Sequence, residues 1–160
     1  MGWREKERKD HFKAYIIMPA LDRLQLNTPY AADLVFETGV IESDYRYIHQ
    51  LRGPALGYWQ MEPFTFRDMM DRVVPKLGLE EEIQSLRLLC DARDHKIDSI
   101  ELIYNPRLAA AMTRIFYRDK PGAIPDTIEG RAQYWKKYYN TSLGKGDPEE
   151  YIRVNYDYIS

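Results

Sequence analysis

The sequence has one cysteine, Cys90, and three histidines. A single cysteine excludes an internal disulfide framework and a four-cysteine zinc site. His11, His49 and His95 are scattered, with no pair four residues apart on a helix face, so no metal set is expected. Cys90 falls on an apolar stripe and reads as core rather than nucleophile. Charge of one sign is also lacking: 23 lysines and arginines face 25 acids, a net charge of -2. That balance argues against a protein built to neutralise nucleic-acid phosphates, and no nucleic-acid specificity is expected. No uncharged run approaches the roughly 20 apolar residues that span a bilayer. The first ten residues are charged and carry no secretory h-region, so synthesis in the cytoplasm without a signal peptide is expected. Repeats, low-complexity tracts and long linkers are absent too.

What the chain does have is a core. Its 160 residues are 44% apolar, which suits one compact domain and disfavours disorder. Tyrosine is over-used, 13 against 5 phenylalanines. Tyrosine offers flat apolar area with a hydroxyl at its edge, which suits a polar ring-shaped ligand and also a protein contact.

Apolar spacing predicts an all-α chain. Ile16, Ile17, Ala20, Leu21 and Leu24 make one helix face over 14–26, with Pro19 kinking or starting the helix. A helix over 29–42 follows Asn27-Thr28-Pro29. Thr65 is a candidate cap for a helix carrying Met69, Met70, Val73 and Val74. Further helices are expected over 79–93, 105–118, 127–139 and 148–158, with 98–104 a short helix or a connection. Residues 44–63 have no clean period and contain Gly53, Pro54, Gly57 and Pro63, so they read as an extended loop or a small β-hairpin. The organisation expected is a charged N-terminal arm (1–13), a main domain (14–146) and a C-terminal helix or tail (147–160).

Functional residues often sit on loops held by a rigid scaffold. Here Glu42-Ser43 ends a helix, and aromatic and apolar residues follow at once. A carboxyl in such surroundings has its pKa raised and can protonate a leaving-group oxygen near neutral pH.

The same segment resembles the lysozyme-like lytic transglycosylases, the group that includes soluble lytic transglycosylases and goose-type lysozymes. The family pattern is Glu-Ser, an aromatic two residues after the serine, Gly-Ala-x-Gly-x-x-Gln, then Pro-x-Thr. This chain has Glu42-Ser43, Tyr45, Pro54-Ala55-Leu56-Gly57-Tyr58-Trp59-Gln60 and Pro63-Phe64-Thr65. Two later motifs follow in order: Asn105-Pro106-Arg107-Leu108-Ala109 for Asn-x-Arg-Leu-Gly, and Tyr139-Asn140-Thr141-Ser142 for Tyr-Asn-Ala-Gly. The resemblance covers roughly residues 30–145. Pro54, Ala109 and Thr141-Ser142 depart from the pattern without removing a functional group. Gly53-Pro54-Ala55 and the charged start are similar to phage versions of the fold, carried in the virion.

The resemblance implies cleavage of peptidoglycan glycan strands between N-acetylmuramic acid and N-acetylglucosamine, with Glu42 as the one catalytic acid and no cofactor. Asp44 and Glu62 are the nearest second carboxylates should a hydrolytic pair be needed. Ser43 would bond the sugar or orient Glu42, or else make a local helix-end bond. Gln60 would bind the N-acetyl group or hold the loop. Gly57 would allow close backbone approach, or be an ordinary turn glycine. Tyr45, Tyr58 and Tyr139 are candidate groove residues, Tyr139 beside Glu42 or simply packed. Asn105 and Asn140 would bind substrate or serve structure, Asn105 as a helix cap. Tyr151, Tyr156 and Tyr158 lie beyond the resemblance and are candidates for docking to other virion proteins. The competing class is a non-enzymatic tail or head–tail component that keeps the fold alone.

Overall fold

The computed structural model describes residues 2–87, 98–141 and 143–158. Cys90, His95, Ser142 and the end of the helix expected over 79–93 lie outside these. The described chain is mainly helical, with no sheet, as the periodicity predicts. None of its helices is long and apolar enough to cross a membrane.

The N-terminal arm is itself a helix. α1 (Gly2–Phe12) runs through a wide turn at Lys13–Ile17 into α2 (Met18–Arg23). In that turn Met18 N–H donates to the carbonyl of Lys13, five residues back, so the helix locally widens. Pro19 has no N–H to give to the carbonyl of Tyr15, and Arg107 Nε donates to that carbonyl instead, at 3.0 Å. The charged sequence thus hides a helix that Phe12, Ile16 and Ile17 fasten to the core.

α3 (Ala31–Ser43) is the central element. Ala31, Leu34, Val35, Phe36, Glu37, Thr38, Gly39, Val40 and Ser43 are all buried, so the helix is enclosed on every side. α4 (Pro63–Asp68) passes through a second wide turn, Met69–Val73, into α5 (Val74–Leu77). It starts at Pro63 with Glu62 as the flanking residue, so Thr65 lies inside the helix and does not cap it. α6 spans Glu80–Ser85 and ends at Leu86. α7 (Glu101–Tyr104) leads to α8 (Pro106–Arg118), where Asn105 Oδ1 accepts from Leu108 N–H at 3.1 Å. α9 (Ile128–Trp135) is capped by Thr127 and ends in a third wide turn, Lys136–Asn140. α10 (Pro148–Tyr156) is capped by Asp147.

The C-terminal segment is structural rather than a free docking tail. Tyr151 and Tyr158 are buried, and of the three tyrosines only Tyr156 is exposed. The reason is a polar clamp. Glu37 takes two bonds from Arg131, Nε to Oε1 at 2.6 Å and Nη2 to Oε2 at 3.0 Å. Tyr151 donates to Glu37 Oε1 at 3.0 Å, and Asn155 Nδ2 donates to the Glu37 carbonyl at 3.2 Å. One carboxylate therefore ties α3, α9 and α10 together. At the end of α3, Asp44 accepts from Tyr158 at 2.7 Å and pairs with Arg46 at 3.0 Å, while its carbonyl accepts from Arg8 at 2.9 Å. α1 and the turn just past α10 therefore meet on the residue two positions after Glu42.

Gly39 lets Tyr45 fold back against α3. A Cβ there would lie 2.2 Å from the Tyr45 hydroxyl, which donates to the Phe36 carbonyl at 2.8 Å. Gly39→Ala is expected to lower stability by about 1–3 kcal/mol, the overpacking cost exceeding the roughly 1 kcal/mol gain in helix propensity. A lower urea midpoint at unchanged slope would show it.

Candidate active site

The 44–63 segment is a loop stitched by isolated antiparallel bridges, His49 to Leu56 and Leu56 to Met61. Leu56 and Met61 exchange backbone bonds at 2.9 and 3.1 Å, and Gly57 N–H donates to Ile48 at 2.8 Å. Gly57 has φ +75, and a Cβ on it would sit 2.7 Å from the carbonyl oxygen of Leu102. Both the left-handed backbone and the close approach require glycine. Asp44, Tyr45 and Gln60 hold positive φ without being glycine (+50, +55 and +52), a cost of about 1 kcal/mol or more each, concentrated around Glu42.

The loop and the end of α9 form two walls of a groove. Cavities of 180 and 500 Å³ share Glu42, Gln60, Glu62 and Asn140. The first adds Thr65, Phe116 and Tyr139, and the second adds Tyr47, Gln50 and Leu51. Glu42 sits where the two meet. The walls are joined by Tyr139, whose hydroxyl donates to the carbonyl of Trp59. Trp59 is anchored in turn, its indole donating to the Val35 carbonyl at 2.7 Å.

Glu42 Oε1 accepts one bond, from Trp135 Nε1 at 3.1 Å. Burial pushes the carboxyl up from 4.5 to about 7, with the indole bond pulling the other way. Among the described residues no cation pairs with it. Such a carboxyl is half-protonated near neutrality and can give a proton and then take one back. Burial likewise pushes the Tyr139 hydroxyl well above its ordinary value, with the charge on Glu42 adding to the rise, so it stays a donor.

The groove brings together Glu42, Gln60, Tyr139 and Asn140 from the expected set. Gln60 Nε2 donates to the Gly57 carbonyl at 3.0 Å. Asn140 Oδ1 accepts from Lys136 at 2.7 Å, which also bonds the Gly144 carbonyl at 2.8 Å and shapes the groove end. Ser43, Tyr45, Gly57, Tyr58 and Asn105 do not line it. Ser43 is buried; its Oγ donates to the Tyr58 carbonyl at 2.6 Å and accepts from Tyr45 N–H at 3.1 Å, so it clips the helix end to the loop. Tyr45 is packed between Phe12 and Phe36, with centroids at 4.1 and 5.3 Å, and Tyr58 lies edge-on to Phe12 and Tyr45. Asn105 is buried, capping α8 and donating to the Leu86 carbonyl at 2.8 Å. These residues hold the wall from behind.

Sequence reasoning missed Trp135 as the partner of Glu42. A signal existed: Trp135 and Tyr139 are four apart on a helical run and face the same way. Tyr47 and Leu51, both exposed on the groove, carried no periodic signal. Of the two possible second carboxylates, Glu62 lines the groove, whereas Asp44 is tied to Arg8, Arg46 and Tyr158. No protein-family model matches the chain, and comparisons with curated proteins and with solved structures likewise gave no match.

Proposed function

We propose that the chain is a peptidoglycan-cleaving lytic transglycosylase, carried in a phage particle to open the host wall locally. The observation that carries the reading is Glu42, a carboxyl that lines the groove, accepts one indole bond, pairs with no cation among the described residues and has its pKa raised to about 7 by burial. The motif spacing from Glu42 to Gln60 and Thr65, and the meeting of Gln60, Tyr139 and Asn140 around it, support the same reading.

In the proposed reaction protonated Glu42 gives its proton to the glycosidic oxygen as the C1–O bond of N-acetylmuramic acid breaks. The resulting carboxylate takes the proton of the muramyl 6-hydroxyl as its oxygen bonds to C1. A 1,6-anhydro ring closes, no water is consumed, and Glu42 ends protonated as it began. Tyr139 and Trp135 keep the acid dry and oriented, and Gln60 and Asn140 present amides to the sugar substituents.

The test is product analysis. Purified protein incubated with peptidoglycan is expected to release anhydromuropeptides, read by mass spectrometry. Reducing ends would assign the reaction to hydrolysis, with Glu62 as the water-activating carboxylate on the same groove. An intact wall would sink the enzymatic reading and favour a structural virion protein.

A further inference from the structure

A second cavity, of 480 Å³, is separated from the groove by the stacked pair Tyr117–Tyr139, whose centroids are 5.5 Å apart. It is lined by Thr28 and Tyr30 from the turn before α3, by Arg114 and Arg118 from α8, and by Lys120 and Tyr134. Among the described residues no aspartate or glutamate lines it.

Arg114 is the unusual member. It is 4% exposed, its Nε donates to the Leu26 carbonyl at 2.8 Å, and its Nη2 donates to Thr28 Oγ1 at 3.2 Å. Both partners are neutral, and among the described residues no carboxylate pairs with it. Arg118, four residues on and on the same helix face, adds a second positive charge rather than relief. Burial, and then Arg118, bring the Arg114 guanidinium down to about 10, which leaves it charged at neutral pH. Asp119, the acid that follows α8, is committed elsewhere, to Arg72 at 2.8 Å and Lys76 at 3.7 Å. A buried cation without a counter-charge is costly, and an anion entering the cavity would remove that cost.

We propose that this cavity binds a dianionic phosphate group, free or as a monoester, between Arg114, Arg118 and Lys120. Three cations with no acid match two negative charges better than one, and the guanidinium fork of Arg114 suits phosphate oxygens. Thr28 supplies a hydroxyl, and Tyr30 and Tyr134 flank the pocket with rings. The site needs nothing from Glu42, so it stands apart from the proposed reaction.

Calorimetric titration at constant ionic strength tests this with inorganic phosphate, glycerol 1-phosphate, dimethyl phosphate and acetate. Inorganic phosphate or the glycerol ester is expected to bind with a Kd of about 1 mM or tighter. The monoanions dimethyl phosphate and acetate should bind roughly tenfold more weakly or not at all. The double variant Arg118→Gln/Lys120→Gln, which leaves the buried Arg114 contacts in place, should lose roughly tenfold in phosphate affinity while its circular dichroism is unchanged. Glu42→Gln should bind phosphate as the parent does. Acetate binding as tightly as phosphate, phosphate affinity unaffected by the double substitution, or no heat at about 10 mM phosphate would each overturn the proposal.

Discussion

Glu42→Gln is expected to abolish most wall cleavage and, above neutral pH, to make the protein more stable. Losing the proton donor should lower turnover by about 10²- to 10⁴-fold. The stability effect follows from linkage. In the folded chain Glu42 titrates near 7, against an ordinary value of 4.5. Below 4.5 both folded and unfolded chains hold the proton, and the carboxyl costs nothing extra. Between 4.5 and 7 the unfolded chain has released its proton while the folded chain retains it, so stability falls as pH rises. Above 7 the folded protein carries a buried anion, a penalty of about 3 kcal/mol. Glutamine keeps an acceptor for Trp135 and never ionises. The gap between variant and parent should therefore open from near zero at about pH 4 to its full size at about pH 8, measured by urea midpoints. An equal gap at both pH values would show that Glu42 does not titrate near neutrality. In the parent, activity should fall about tenfold per pH unit above 7 as the acid is lost.

Arg131→Met should cost about 3–5 kcal/mol, enough to threaten folding of a chain this size. The substitution removes the fork from Glu37 and leaves a carboxyl buried with only Tyr151 to donate to it. Burial already pushes the Glu37 carboxyl up against the downward pull of Arg131 and Tyr151, so without Arg131 it rises further. The loss should therefore be smaller at low pH, where Glu37 is neutral. Adding Glu37→Gln should recover part of the stability, because the orphaned charge goes with it. Thermal melts of the two single variants and the double separate these terms. A loss under about 1 kcal/mol for Arg131→Met would mean that water, not the clamp, satisfies Glu37.

Helix-forming periodicity makes most of the fold legible in the sequence. Pro106 and Pro148 at helix starts and the Asn105 cap also read directly from the chain, whereas Pro29 lies in the turn before α3, which begins at Ala31. The N-terminal helix was hidden because most of its residues are charged, and among the described side chains Phe12, Ile16 and Ile17 supply the apolar contacts that fasten it to the core. The wide turns were not legible, since a helix that gains one residue leaves the residue types unchanged. Glu42, Gln60, Tyr139 and Asn140 could be grouped because motif spacing holds them in order along the chain. Tyr45, Tyr58, Tyr151 and Tyr158 could not be sorted that way. A tyrosine fits a sugar groove and a core equally well, and only its neighbours decide. Ser43 and Asn105 were ambiguous for a related reason: a short polar side chain that can reach a ligand can also reach the nearest backbone.

The meeting of Arg8, Asp44 and Tyr158 behind Glu42 has a consequence for the order of events during synthesis. Arg8 and Asp44 are 36 positions apart, and Tyr158 lies 114 positions after Asp44. On the ribosome the acid and the loop emerge long before the tyrosine that locks the end of the helix carrying the acid. Contacts that span so much chain form late and slow folding. A chain truncated before residue 150 would carry every groove residue but lack the Tyr151 and Tyr158 bonds that brace α3. Its groove should be assembled loosely until those two bonds form.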